Sequence, residues 1–490
     1  MVAKKASGSP TKRATPASKK AAKAPAKASK SRAGAVKAPT TAVKAPTTAA
    51  KLPAATKTPV ASKTPISTSK LPTTVEILPT ATLPKKVPVY HRSYFPVSSA
   101  DIKLKIPTNN FRILSIDGGG ARGMIPAVIL KEVERRSGKR ISQLFDRICG
   151  TSTGSILACG LSAPKTAGSS TPMFRASEIV EIYRTLGEEV FSRGSFNETV
   201  IKPMEDLMAH STSWIVTHPD QTLDTIKAVW KRINSPLHYV HKLAFLLHGF
   251  LGELKMKDAL TELFVYAYDI GSRTPEILGS SESLIPGARD YSSFRMYQAA
   301  TASSAAVPFF APYTVFKTPT APIEMPMPPP GQSIYPPVGG SGDNYKLVDG
   351  GNGGLGNPAL FATIEDTSAS LNKSKIIVSL GTGHFSQPVP PEASNWGFLQ
   401  WLGEGGELLT SIFDGEADVT DMALRKLFEK NATYFRWQPS IPQSLAFLDE
   451  GSREDMGALE DMAEAFISEH DEEIDTLIAI LTRPRILGLP

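Results

Sequence analysis

The sequence predicts an α/β fold with a mostly parallel sheet, preceded by a long disordered basic tail. Three observations predict it. FRILSI at Phe111–Ile116 is a short apolar run that ends in a glycine turn and continues at helical spacing, and FDRIC at Phe145–Cys149 does the same through GTSTG. Two successive strand–turn–helix units are the repeat from which parallel sheets are wound. Residues 1–89, by contrast, contain no aromatic residue, so they lack the apolar surface that would offset the entropy of ordering them.

The tail comes first in the chain. The 490 residues carry a formal charge of +7, but residues 1–89 hold 18 Lys and Arg against one acid, Glu76, for a net of +17. The rest has 36 basic and 46 acidic residues, a net of −10. VKAPTTA at Val36–Ala42 recurs at Val43–Ala49, and Lys-x-Pro continues from Lys51, Lys57, Lys63 and Lys70, a pattern that keeps a chain extended. SPTKR at Ser9–Arg13 and KKAAKAPAKASK at Lys19–Lys30 resemble the tails of linker histones. Two readings of this segment stand side by side. One is an arm that releases counterions from nucleic acid or from an anionic membrane, and the other is a solubilising or targeting spacer.

Two cysteines, Cys149 and Cys159, cannot supply a disulfide framework, so reduced intracellular residence is expected. The first residues lack the apolar core of a secretory signal. Leu243–Leu251, LAFLLHGFL, is interrupted by His248 and falls far short of the ~20 residues that cross a bilayer. The expected location is cytoplasmic or membrane-peripheral, with a nuclear address open through the tail.

After the first strand comes Asp117-Gly118-Gly119-Gly120-Ala121-Arg122-Gly123, then MIPAVILKEVERR. Consecutive glycines let backbone N–H groups converge at a helix N-terminus and make an anion site. Gly118, Gly120 and Gly123 satisfy G-x-G-x-x-G, but a dinucleotide fold needs an acidic residue about 20 residues on, where this chain reads RRSGKRIS. No Gly-Lys-Ser or Gly-Lys-Thr closes a P-loop. The third reading, an oxyanion hole, requires a nucleophile.

Gly150-Thr151-Ser152-Thr153-Gly154, between a strand and SILACGLSA, supplies one. Small flanking residues permit the sharp strand-to-helix turn that lifts Ser152 above the sheet edge. G-x-S-x-G alone is a weak signal, and the glycine loop one strand earlier strengthens it. Cys149 and Cys159 read as small core residues. For the base, Asp349 ends the run YKLV and precedes Gly350 and Gly351, so its carboxylate would stand free at the sheet edge. His384 follows the expected strand Lys375–Leu380. A Ser-Asp dyad and a Ser-Asp-His triad both fit, and the loop position of His384 favours the dyad. The other histidines form no ligand-spaced cluster, so neither a metal nor another cofactor is expected.

Taken together, these motifs resemble the patatin-like phospholipases: a DGGGxRG loop at Asp117–Gly123, a GxSxG elbow at Gly150–Gly154 and a DGG aspartate at Asp349–Gly351. Further stretches are similar, including VYAYDI at Val265–Ile270, ATASSAAVPFFAP at Ala300–Pro312 and VSLGTG at Val378–Gly383, and coverage is roughly Phe111 to His470. The chain departs from the family at Ser155, where many members have Gly, and in NGGLGNPAL, which bears on the register of Asn357 and Pro358. It departs also in a Pro/Gly-rich insertion at Thr318–Asp343 and in the tail.

The resemblance implies a three-layer α/β/α patatin-like fold and a phospholipase A-type lipid acyl hydrolase that acts on phospholipid or other lipid esters at a membrane surface, without cofactor or metal. It implies a Ser152–Asp349 dyad and an oxyanion hole from Gly118, Gly119 and Gly120. Arg122 would brace that loop or contact a lipid phosphate. Residues 1–89 form the tail, 90–390 the hydrolase core and 391–490 a helical part of the same body. The competing class is a polyanion-binding or scaffold protein whose hydrolase body is degenerate. Ser235–Lys257, dense in Leu and Phe, reads either as a core helix or as a lid that meets lipid.

Overall fold

The structure is a computed structural model. It describes residues 93–95, 109–190, 217–233, 238–281, 290–316, 344–365, 373–385, 391–397, 407–428, 433–445, 448–449 and 451–484, with a few single positions between them. The basic tail and the insertion at Thr318–Asp343 lie outside these residues.

An eight-stranded sheet forms the middle layer, in the order β5-β6-β3-β2-β1-β7-β9 with β4 also paired to β3. Its strands are β1 (Asn110–Ile116), β2 (Arg147–Thr151), β3 (Glu262–Asp269), β4 (Thr274–Gly279), β5 (Tyr313–Phe316), β6 (Asn344–Asp349), β7 (Ser374–Leu380) and β9 (Tyr434–Trp437). The five strands from β3 to β9 are parallel, whereas β4, β5 and β6 pair antiparallel. The two-residue strands β8 (His384–Phe385) and β10 (Ser440–Ile441) pair separately.

Alternation along the strands makes the layers. In β1, Leu114 and Ile116 enter one apolar cluster while Phe111 and Ile113 enter another, and in β3 Leu263, Val265 and Ala267 oppose Phe264 and Tyr266. Period-2 alternation sends successive side chains to opposite faces, so both faces are buried and each needs helices over it. The first face is covered by α1 (Met124–Ser137), α2 (Thr153–Ser162), α3 (Ala176–Val190), α4 (Val240–Leu251) and α5 (Met296–Ser303). The second is covered by α6 (Ala359–Ile364) and α7 (Glu407–Phe428). Helices α8 (Arg453–Glu469) and α9 (Asp471–Thr482) return to the first face. This is a three-layer α/β/α arrangement.

Two elements differ from expectation. Ile141–Leu144 close a helical turn, with the Phe145 N–H donating to the Ile141 carbonyl at 3.2 Å. Strand β2 therefore starts at Arg147, two residues after Phe145. The last hundred residues supply more than helices, because Tyr434, Phe435 and Trp437 in β9 are buried as the sheet's far strand.

Candidate active site

Strand register assembles the site. Ile116 pairs with Gly150, Thr151 with Tyr266, Ala267 with Asp349 and Leu380 with Ile116. One or two residues beyond these pairs, Gly118, Ser152 and Thr382 reach a common level, and Asp349 stands at that level across β3. The antiparallel β6 thus delivers its aspartate to the place where the parallel strands deliver their loops.

Ser152 sits between β2 and α2 with φ 55° and ψ −126°, a backbone state that costs a non-glycine residue about 1–3 kcal/mol and is held only by its surroundings. A Cβ on Gly150 would lie 2.1 Å from the Gly154 carbonyl oxygen, and one on Gly154 would lie 2.2 Å from that of Ile116. That is why the elbow tolerates no side chain at either position. Ser155, the departure from the family pattern, is absorbed: its hydroxyl donates to the Ser152 carbonyl at 2.5 Å.

Asp349 is buried, and its Oδ1 accepts the Gly351 N–H at 2.7 Å. Burial pushes its pKa up to about 7, while the neighbouring Ser152 hydroxyl and the Gly351 N–H pull it down. A carboxylate in that range, beside a serine hydroxyl, is suited to take a proton near neutral pH. Beyond it, Asn352 exchanges two 3.0 Å bonds with the backbone of Val307. The turn after Asp349 is thereby fixed to the segment that follows α5.

The glycine loop is strapped by distant segments. Gly118 donates its N–H to the Gly356 carbonyl at 2.9 Å and Ala121 donates to Leu448 at 3.0 Å, while the Thr382 hydroxyl donates to the Gly118 carbonyl at 2.7 Å. Asn357, next to Gly356, is held in turn by Glu416 on α7, whose carboxylate accepts the Asn357 N–H at 2.9 Å. Of the three glycine N–H groups expected to converge, that of Gly118 is therefore engaged with backbone. Arg122 is buried in the pocket wall, where its Nε donates to the Gly119 carbonyl at 3.4 Å and its guanidinium lies 5.9 Å from the Phe385 ring. Those contacts brace the loop. Beneath it, Arg436 on β9 donates to Asp117 Oδ2 at 2.5 Å and to Ser379 Oγ at 2.8 Å. Burial, only partly opposed by Arg436, still raises the Asp117 pKa to about 6.

Ser152, Asp349, the three glycines and Arg122 line one pocket, whose remaining wall includes Ile156, Leu186, Val190, Leu243, Phe309 and Phe310. Ser152 and Asp349 thus face a largely apolar space. His384 is not among the lining residues. Its N–H donates to Pro439, and it pairs with Ser440 in the small sheet. Cys149 and Cys159 are buried free thiols, and burial pushes the Cys149 pKa up to about 12 and raises that of Cys159 also. Among the described residues no cluster of His, Cys, Asp and Glu is placed to hold a metal.

Several residues around the pocket carried no sequence signal of their own. The Tyr183 hydroxyl on α3 donates to the Thr153 carbonyl at 2.8 Å. His238 Nε2 lies 3.3 Å from Asp449 Oδ2, both side chains being buried. Ser303 meets the Ser152 backbone. Each joins segments far apart in the chain.

Residues 114–362 match the family described as patatin-like phospholipase. The chain is similar to Patatin-like protein 2 of Arabidopsis thaliana, at 28% identity over 367 residues covering 68% of this chain and 77% of the relative. It is similar also to Patatin group M-3 of Solanum tuberosum, at 29% identity over 313 residues covering 59% and 66%. Among solved structures it is similar to VipD from Legionella pneumophila at 13% identity, covering 72% of this chain and 67% of that one with a TM-score of 0.25, too low to bear on function.

Proposed function

The chain belongs to the patatin-like phospholipase family, and from that premise we propose that it cleaves acyl esters of phospholipids or related lipids with Ser152 as nucleophile and Asp349 as base. The observation that carries this reading is that Ser152, on a strained strand-to-helix turn, and a buried Asp349 carboxylate line one apolar pocket, the serine hydroxyl lying close enough to lower the aspartate pKa.

As the Ser152 oxygen attacks the ester carbonyl, its proton passes to Asp349. The N–H groups of Gly119 and Gly120, neither of which has a backbone partner among the described bonds, stabilise the oxyanion. Such donors are worth about 3–4 kcal/mol in a preorganised site. Collapse expels the alcohol with the proton from Asp349 and leaves an acyl-enzyme. Water then attacks, giving its proton to Asp349, and the fatty acid leaves as Ser152 regains a proton. Helix α4 supports contact with a lipid surface: Leu243 lines the pocket while Phe245, 71% exposed, points outward.

The test is Ser152→Ala, followed by hydrolysis of a short-chain acyl ester and of phosphatidylcholine, with intact-mass analysis after fluorophosphonate treatment. The expected loss is about 10³-fold or more with no adduct. Turnover above about a tenth of wild type, or an adduct on another residue, overturns the serine mechanism.

A further inference from the structure

Ser152 holds its backbone at φ 55°, and something must keep it there. Its N–H donates to Ser303 Oγ at 2.8 Å, and Ser303 Oγ donates its own proton to the Tyr266 carbonyl at 2.5 Å. Ser303 is fully buried and is not among the residues that line the pocket, so it does not meet substrate. It ends α5, and that helix also takes the Ser155 hydroxyl on its Ala300 carbonyl at 3.4 Å and the Cys159 thiol on its Met296 carbonyl at 3.7 Å. Helix α5 thus grips the N-terminal turns of α2 along one side, with Ser303 at the nucleophile itself.

A hydroxyl is suited to this place because it donates once and accepts at the same time. The Tyr266 carbonyl belongs to the last pair of the β2–β3 ladder, opposite Thr151. Ser303 therefore bridges the rigid sheet to the strained residue just above it. We infer that Ser303 is a positioning residue: it fixes the Ser152 backbone so that the hydroxyl is aimed at Asp349. This rests on the dyad reading above. Without the Ser303 oxygen, the buried Ser152 N–H loses this partner and its tie to the sheet at Tyr266, and the cheapest relief is for the elbow to relax out of its positive φ.

The experiment compares Ser303→Ala and Ser303→Thr with wild type in the full chain, measuring thermal unfolding, kcat and KM on a short-chain ester, and the second-order rate of fluorophosphonate labelling. Ser303→Ala is expected to lower kcat and the labelling rate together by about tenfold or more, with KM within about twofold, and Ser303→Thr to restore most of both. Should Ser303→Ala fail to fold, Ser303→Cys takes its place, because a thiol bonds both partners weakly and at greater length. Its labelling is then expected to be slowed. Labelling at the wild-type rate in a folded Ala or Cys variant overturns the inference, as does a rise in KM with kcat unchanged. Ser152→Ala separates this failure from that of the dyad: if it is inactive while Ser303→Ala is normal, only the positioning role falls.

Discussion

Gly118 gives its N–H to the Gly356 carbonyl at 2.9 Å. The bond joins the first glycine of one motif to the turn that follows the aspartate of another, so the glycine loop and Asp349 are registered against each other through backbone. It also sets Gly118 apart from Gly119 and Gly120, the two donors of the proposed oxyanion hole.

Substitution at either should therefore damage catalysis. A Cβ on Gly119 would lie 2.1 Å from Thr382 Oγ1, and one on Gly120, at φ 57°, would lie 1.9 Å from the Leu448 carbonyl oxygen. Gly119→Ala and Gly120→Ala are each expected to lower kcat by about 10²- to 10³-fold. A Gly119→Ala enzyme within about threefold of wild type would remove that N–H from the mechanism.

The pH dependence follows from Asp349. Its carboxylate must be ionised to accept the serine proton, and burial raises its pKa to about 7. Activity should thus rise with pH through that value and fall away below it. In kcat/KM, which reports the free enzyme, the acid limb should have its midpoint near 7. A midpoint near the ordinary aspartate value of about 4 would mean that the base is another group or is solvated.

Arg436→Met tests the support beneath the loop. Removing one partner of a buried pair costs about 3–5 kcal/mol, because the other charge is left uncompensated. Asp117 has a folded pKa raised to about 6, and a carboxyl raised on folding favours the native state at low pH and loses that contribution as pH rises through its folded value. Urea unfolding should show the larger deficit at pH 8 and a smaller one at pH 5, where Asp117 takes up a proton. Equal deficits at both would assign the loss to packing.

Phe245→Glu probes the outer face of α4. With the side chain 71% exposed, the variant should fold and retain turnover of a monomeric ester while losing about tenfold or more on phosphatidylcholine vesicles. Unchanged vesicle hydrolysis would remove this helix from the lipid contact, and misfolding would make it a core element despite its exposure.

The legible parts of this molecule are those whose requirement is local. Gly150 and Gly154 are demanded by contacts within one turn or with the adjacent strand end, so their spacing shows in the sequence. Alternation in Phe111–Ile116 likewise shows a strand, although not which face each residue serves. Ser303, Tyr183 and Asp449 act on segments 30 to 211 residues away, and no spacing rule marks them. The antiparallel course of β6 was equally invisible, since YKLV reads as a strand in either direction. What brings Asp349 to Ser152 is its register against Ala267.

In the proposed dyad Asp349, without a histidine, serves Ser152. Its most direct test is the turnover of a short-chain acyl ester by Asp349→Asn measured beside His384→Ala. The amide keeps the shape of the carboxylate but cannot take a proton, whereas His384 lies outside the pocket lining. The dyad predicts a loss of about 10³-fold or more for Asp349→Asn and turnover within about threefold of wild type for His384→Ala. An inactive His384→Ala beside an active Asp349→Asn would contradict it.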